Sequence, residues 1–146
     1  MYMISLAFGY LIGCFQTSYI LARSVKHIDI REHGSGNAGS TNALRVMGWK
    51  FGLMTFTGDL LKAVLAVLIG WMVFDSQIAG LFAGLGVVLG HNWPVFLKFK
   101  GGKGIASTLG LMIAFDWRIG LIAWAITAIV ILKTKYVSVG SLLLIT

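Results

Sequence analysis

Residues 1–22 read MYMISLAFGYLIGCFQTSYILA, without one charged side chain. A helix of about 22 residues is long enough to cross a hydrocarbon core of roughly 30 Å. Gly9, Gly13 and Ser18 are small enough to let a second helix approach closely. No lysine or arginine precedes Arg23, a poor fit to a secretory signal with a basic leader. The segment therefore reads as a retained transmembrane helix.

The rest of the chain agrees. Of 146 residues, 58% are hydrophobic and only 12% are charged, about half the share in an ordinary soluble domain, and the mean hydropathy is +0.87. Lysine and arginine number 12 against 5 acidic residues, for a net charge of +7. These cations sit in short gaps between apolar runs, which suits bilayer orientation and anionic ligands and argues against nucleic acid. Cys14 is the single cysteine, so no internal disulfide can form.

Further apolar runs cover residues 51–74, 78–89, 105–115 and 119–132, and another begins at 137. The expected fold is an all-α, polytopic integral membrane protein forming a single domain over 1–146. It has about five spans plus the start of a sixth, with the amino terminus outside. The run 105–115 is short for a crossing. Alternating the runs across the bilayer puts loops 23–50, 98–104 and 133–136 on one side. Those loops hold Arg23, Lys26, Arg31, Arg45, Lys50, Lys98, Lys100, Lys103, Lys133 and Lys135, while the opposite turns hold Arg118 as their one basic residue. That bias makes the lysine-rich side cytoplasmic.

Two polar stretches lie on this side. The first is Gly34-Ser35-Gly36-Asn37-Ala38-Gly39-Ser40-Thr41-Asn42-Ala43-Leu44-Arg45. Its glycines free the backbone to turn N–H groups toward one point, and a following helix N-terminus would add its positive end. Ser35, Asn37, Ser40, Thr41 and Asn42 bring short donors, and Arg45 a planar fork suited to phosphate or carboxylate. The second stretch joins Gly90-His91-Asn92-Trp93-Pro94 to Lys98-Phe99-Lys100-Gly101-Gly102-Lys103-Gly104. Lys103 between glycines suits a point charge reaching a phosphate. His91 reads as a base, a phosphate donor or a helix-end cap. Two such loops predict a pair of phosphate-bearing substrates.

Simpler readings stand beside these. Gly34-x-Gly36-x-x-Gly39 matches the dinucleotide fingerprint in form but lacks the enclosing βαβ unit. A Walker A loop fails because Leu97 stands where its first glycine belongs. Lys98 and Lys100 read as interfacial anchors, and the tryptophans near segment ends do the same. His27 and His33 lack partners at metal-ligand spacing, so no metal site is expected. Asp59 and Lys62 share one helix face within an apolar run. They are either a buried supporting pair, or wet residues at a helix that starts near Thr57.

Gly34-Ser35-Gly36-Asn37-x-Gly39-x-Thr41-Asn42-x-x-Arg45, Gly58-Asp59-x-x-Lys62, Gly90-His91-x-x-Pro94-x-Phe96 and Phe99-x-Gly101-Gly102-Lys103-Gly104 occur in this order. Together they resemble the bacterial acyl-phosphate:glycerol-3-phosphate acyltransferase family (PlsY type), and Tyr136-Val137-Ser138-x-x-Ser141 fits the start of its next helix. The resemblance implies a multi-pass inner-membrane enzyme that moves a fatty acyl group from acyl-phosphate to position 1 of glycerol 3-phosphate. The product would be lysophosphatidic acid, made without a cofactor at the cytoplasmic face. Membrane lipid is its surrounding, and a functional link to the enzyme that makes acyl-phosphate is expected.

Carried over by position, Ser35, Arg45, His91 and Lys103 would be catalytic. Gly36, Asn37, Gly39, Thr41, Asn42, Gly101, Gly102 and Ser141 would bind substrate, with Asp59 and Lys62 in support. The family continues past the position of Thr146 to a third, His-Arg-x-Asn-like motif, so the resemblance also implies a carboxyl-terminally incomplete site. The His-x-x-x-x-Asp signature of thioester-dependent acyltransferases is absent: Glu32, Ala38 and Phe96 stand at its acidic position after His27, His33 and His91. Direct transfer without a covalent intermediate therefore fits. Hydrophilic glycine loops gathered on one side favour such an interfacial enzyme over an anion transporter, and an anionic-lipid scaffold would need only the lysines, leaving Asn37, Thr41 and Asn42 unexplained.

Overall fold

The computed structural model describes residues 1–134; Ser141 and the expected start of a sixth helix lie outside the described residues. Its helices are α1 (Tyr2–Gly13), α2 (Thr17–Leu21), α3 (Ser40–Met47), α4 (Trp49–Phe74), α5 (Gln77–Asn92), α6 (Ile105–Phe115) and α7 (Trp117–Thr134). Short π and 3-10 turns occupy Ala22–Lys26, Ile30–Glu32 and Val95–Leu97. Among the described residues, four stretches are long and apolar enough to cross a bilayer: Tyr2–Lys26, Trp49–Phe74, Gln77–Leu97 and Trp117–Thr134. The fifth, α6, has 11 residues.

Two expectations change. The first apolar run is not one helix, because it breaks between Gly13 and Thr17. A break strands backbone carbonyls, which membrane depth tolerates only if protein groups satisfy them. Here the Lys62 ammonium reaches Phe15 O at 2.6 Å and Gly13 O at 3.3 Å, and the Gln16 amide donates to Gly13 O at 3.2 Å. Nor does α4 start near Thr57; it starts at Trp49, leaving Asp59 and Lys62 buried along its length. The wet-interface reading of that pair therefore fails.

Packing follows the logic of helices in lipid. Most buried apolar side chains are small, with Ala63, Ala66 and Ala83 forming a cluster with Val87. Large ones such as Met72, Val73 and Leu132 face outward. A water-soluble bundle reverses this arrangement. α1 and α5 cross most closely: a β-carbon at Gly9 would strike the Ala83 backbone, and one at Gly86 or Gly90 the backbone of α1. The turns obey local chemistry. Ser76 caps α5 by accepting from Ala79 N, and Asp116 accepts from Arg118 N at the head of α7.

Candidate active site

The first polar loop is held by one side chain. Asn42, 1% exposed on the first turn of α3, directs its amide nitrogen at the carbonyls of Ile30, His33 and Asn37, each at 3.0 Å. Its oxygen accepts from Ser35 N at 2.8 Å. Every polar atom of this amide is thus used on the loop itself, so Asn42 shapes the cradle rather than serving as a free donor. Gly34 and Gly36 adopt left-handed φ values of 62° and 77° that few side-chain-bearing residues accept. Gly39 is different: its φ is −125° and a β-carbon there would meet nothing within 4 Å.

An outer clamp braces this loop. Arg31 pairs with Asp29 through two hydrogen bonds, at 2.7 and 3.0 Å, and donates to Leu97 O at 2.8 Å across to the second loop. The guanidinium also lies 5.1 Å from the Tyr19 ring centre. The hydrogen bond from the Arg31 side chain holds the Asp29 carboxyl below its usual range and outweighs burial, which acts the other way.

The second loop is held from below. Gly101 N donates to Asn92 O and Gly102 N to His91 O, while Ala38 N of the first loop donates to Gly101 O at 3.2 Å. A β-carbon on Gly102 would collide with the His91 ring, so this glycine is required by close approach. His91 is 3% exposed. Its carbonyl also accepts from Gln16 Nε2 at 3.0 Å, and its Nδ1 lies 3.0 Å from Lys62 Nζ. Lys62 in turn pairs with Asp59 at 2.8 Å, and Thr17 donates to the same carboxylate oxygen at 3.0 Å. Ser107 at the start of α6 donates to Asp59 O. This buried hub joins the broken first span, α4, α5, α6 and the second loop.

Between the loops lies a cavity of about 80 Å³, lined among others by Ser35, Asn37, Thr41, Asp59, His91 and Lys103. Two helix N-termini open on it: Ser40 and Thr41 begin α3, and Ile105 and Ala106 begin α6. Each supplies N–H groups without intrahelical partners and a positive dipole end, which favour an anion. An apolar trough of about 230 Å³ shares Ser40, Thr41, Ile105 and Ala106 with the cavity and runs past Phe56, Leu109, Trp124 and Ile131.

Most sequence-marked residues meet here. Gly39 and Asn42 also line the cavity, while Gly36, Gly101 and Gly102 shape its walls from outside the lining. Arg45 stands exposed one turn beyond Thr41 on α3, outside the lining. Sequence reading missed Asp29, Arg31, Gln16, Thr17 and the N-terminus of α6. The pair Gln16-Thr17 was the available signal, as two adjacent polar side chains inside an uncharged run.

A family model described as glycerol-3-phosphate acyltransferase matches residues 3–146. A glycerol-3-phosphate acyltransferase of Thermoanaerobacter pseudethanolicus (strain ATCC 33223 / 39E) is 54% identical over 134 residues, covering 92% of this chain and 67% of that protein. The crystal structure of PlsY (YgiH), an integral membrane glycerol 3-phosphate acyltransferase, in its glycerol 3-phosphate form superposes with a TM-score of 0.88 at 37% identity. That match covers 98% of this chain and 72% of the other. The lysophosphatidic acid form gives 0.86 at 36% identity, covering 98% and 71%. With the family model matched over residues 3–146 and the fold shared with PlsY, this chain belongs to the glycerol-3-phosphate acyltransferase family.

Proposed function

We propose that this integral membrane protein acylates glycerol 3-phosphate to lysophosphatidic acid, with acyl-phosphate as the donor. The observation that carries the reading is a polar cavity at two helix N-termini that shares Ser40, Thr41, Ile105 and Ala106 with an adjoining apolar trough. A donor with a phosphate head and a hydrocarbon tail matches both halves. Ser35, Asn37, Thr41 and Lys103 contact phosphate, and the exposed Arg45 adds charge at the approach. Gly39 leaves room for the ligand, while Asn42, Gly36, Gly101 and Gly102 set the loop geometry. The substrate-binding role expected of Ser141 falls on a residue outside the described ones.

Acyl-phosphate is a mixed anhydride, so positioning and charge stabilisation do most of the work. The glycerol hydroxyl oxygen bonds to the acyl carbon, the carbon–oxygen bond to phosphate breaks, and the departing phosphate takes the hydroxyl proton. The bias of cationic loops supports an amino terminus outside and this site on the cytoplasmic face of a bacterial inner membrane, in a chain read as a single domain over 1–146. It also supports α6 as a fifth crossing, and a functional link to the enzyme that makes acyl-phosphate follows from the donor.

The test is transfer of a labelled acyl chain to glycerol 3-phosphate by detergent-purified protein. Acyl-phosphate and acyl-CoA are supplied in parallel to this chain and to one extended with the carboxyl-terminal part of the Thermoanaerobacter relative. Transfer from acyl-phosphate alone is expected. Transfer from acyl-CoA alone overturns the donor, and no transfer by either folded protein overturns the reading in favour of anion transport.

A further inference from the structure

The Lys62 nitrogen faces four polar atoms at the break in the first span. Phe15 O, Asp59 Oδ1, His91 Nδ1 and Gly13 O lie 2.6, 2.8, 3.0 and 3.3 Å away. Three are oxygens that can only accept. The Asp59 carboxylate at 2.8 Å favours an ammonium at this nitrogen, whose three hydrogens are shared among four neighbours and which has no lone pair to accept with. Toward such a group, His91 Nδ1 must present its lone pair. An N–H at Nδ1 would point at a nitrogen unable to accept, and its alternative acceptor, Asp59 Oδ1, is 3.6 Å off, beyond hydrogen-bond reach. Adding a second proton to the ring would put two cations 3.0 Å apart in a buried site.

We propose that Lys62 is a positioning residue: its ammonium holds the His91 ring as the Nε2–H tautomer, so His91 offers substrate a hydrogen bond and takes no proton from it. The ring edge carrying Nε2 packs against Gly102, and His91 lines the cavity. The single proton therefore sits on the loop side of the ring, away from Lys62. The same ammonium ties off the carbonyls freed by the break in the first span. Loss of Lys62 would thus release both the ring tautomer and the floor beneath the second loop. For its substrate this inference rests on the acyl-transfer reading; for the tautomer it does not.

The test is nitrogen NMR of the detergent-solubilised chain carrying ¹⁵N-histidine, with His91→Gln assigning the His91 signals among the three histidines. The wild-type spectrum is expected to show one His91 tautomer, with Nδ1 unprotonated and Nε2 protonated. Lys62→Met keeps the apolar stem and should yield a mixture of tautomers. A wild-type ring protonated at Nδ1, or unchanged signals in folded Lys62→Met, overturns the proposal. Should Lys62→Met fail to fold, the wild-type spectrum still decides the tautomer. The kinetic arm compares kcat/KM for glycerol 3-phosphate in Lys62→Met, His91→Gln and the double variant. If Lys62 acts through His91, the double variant stays within about threefold of the worse single variant, whereas independent effects would multiply. Multiplied losses overturn the coupling. Absent transfer with the expected tautomer would count against the acyl-transfer reading, and transfer with a mixed wild-type tautomer against this one.

Discussion

The two loops that frame the cavity are built alike in sequence and held in different ways. The first is fastened by its own residues: Asn42 bonds back to positions 30, 33, 35 and 37. The second is fastened by residues far away in the chain, through the carbonyl and ring of His91, which rest on Gln16 and on Lys62, itself paired with Asp59. A locally stapled loop keeps its shape while surrounding helices shift. A loop seated on a buried polar hub inherits the register of every helix that feeds the hub. The contrast predicts that damage beneath the second loop reads out first as lost turnover, and damage to the first as lost stability.

The sharpest way to break this contrast is Gly102→Ala, which drives a methyl group into the His91 ring. Displacement of the second loop should lower kcat/KM by about 10²–10³-fold, while Gly39→Ala, which meets nothing within 4 Å, should leave the melting temperature unchanged. Activity within tenfold of wild type in Gly102→Ala would show that the ring does not seat the loop. Next comes Asn42→Asp. It replaces the donor facing three carbonyls with a carboxylate and should cost about 3 kcal/mol of stability, read by thermal unfolding in detergent. An unchanged melting temperature would mean that the first loop is not stapled from within.

The clamp between the loops should matter less. Arg31→Ala removes the paired bonds to Asp29 and the bond to Leu97 O on a side chain 20% exposed. About 1–2 kcal/mol is expected. A fall in turnover larger than the fall in stability would assign Arg31 to the second loop rather than the first. The smallest effect is the pH dependence of Asp29. Its folded carboxyl titrates below the ordinary 3.8 because Arg31 favours the charged form. The stabilisation is therefore present above 3.8 and lost as pH falls through the lowered value. Asp29→Asn should flatten the acid limb of a stability–pH curve, and an identical limb would exclude this pair.

Legibility in the sequence followed the same division. Residues that act on their neighbours in the chain were readable: the polar stretch from Gly34 to Arg45 and the Gly101-Gly102-Lys103 run. Asp59 and Lys62 were flagged as a pair by their spacing, yet the choice between a wet end and a buried pair stayed open. It depended on where α4 begins, and apolar periodicity does not mark that point inside a membrane helix. Asn42 was read as a ligand donor because a side chain's partners cannot be seen from its type. Arg45 was read as a phosphate fork and, through the resemblance, as catalytic; on α3 it stands one turn beyond Thr41, outside the lining.

By itself the sequence determined the class of molecule. Uncharged runs of bilayer length allow only structures that satisfy their own backbone, and short basic gaps between them fix which polar segments gather on one side. Small residues at helical spacing marked which runs can approach closely. Only the tertiary structure decided that the first run breaks, that Lys62 closes the break, and that His91 is set on the same ammonium. It alone also brought the start of α6 beside the start of α3, where both line one cavity that borders an apolar trough. The physical reason is range. Span length and charge bias are sums over neighbouring residues, whereas a hydrogen-bonded hub joins groups up to 75 positions apart whose pairing exists only once the helices are packed.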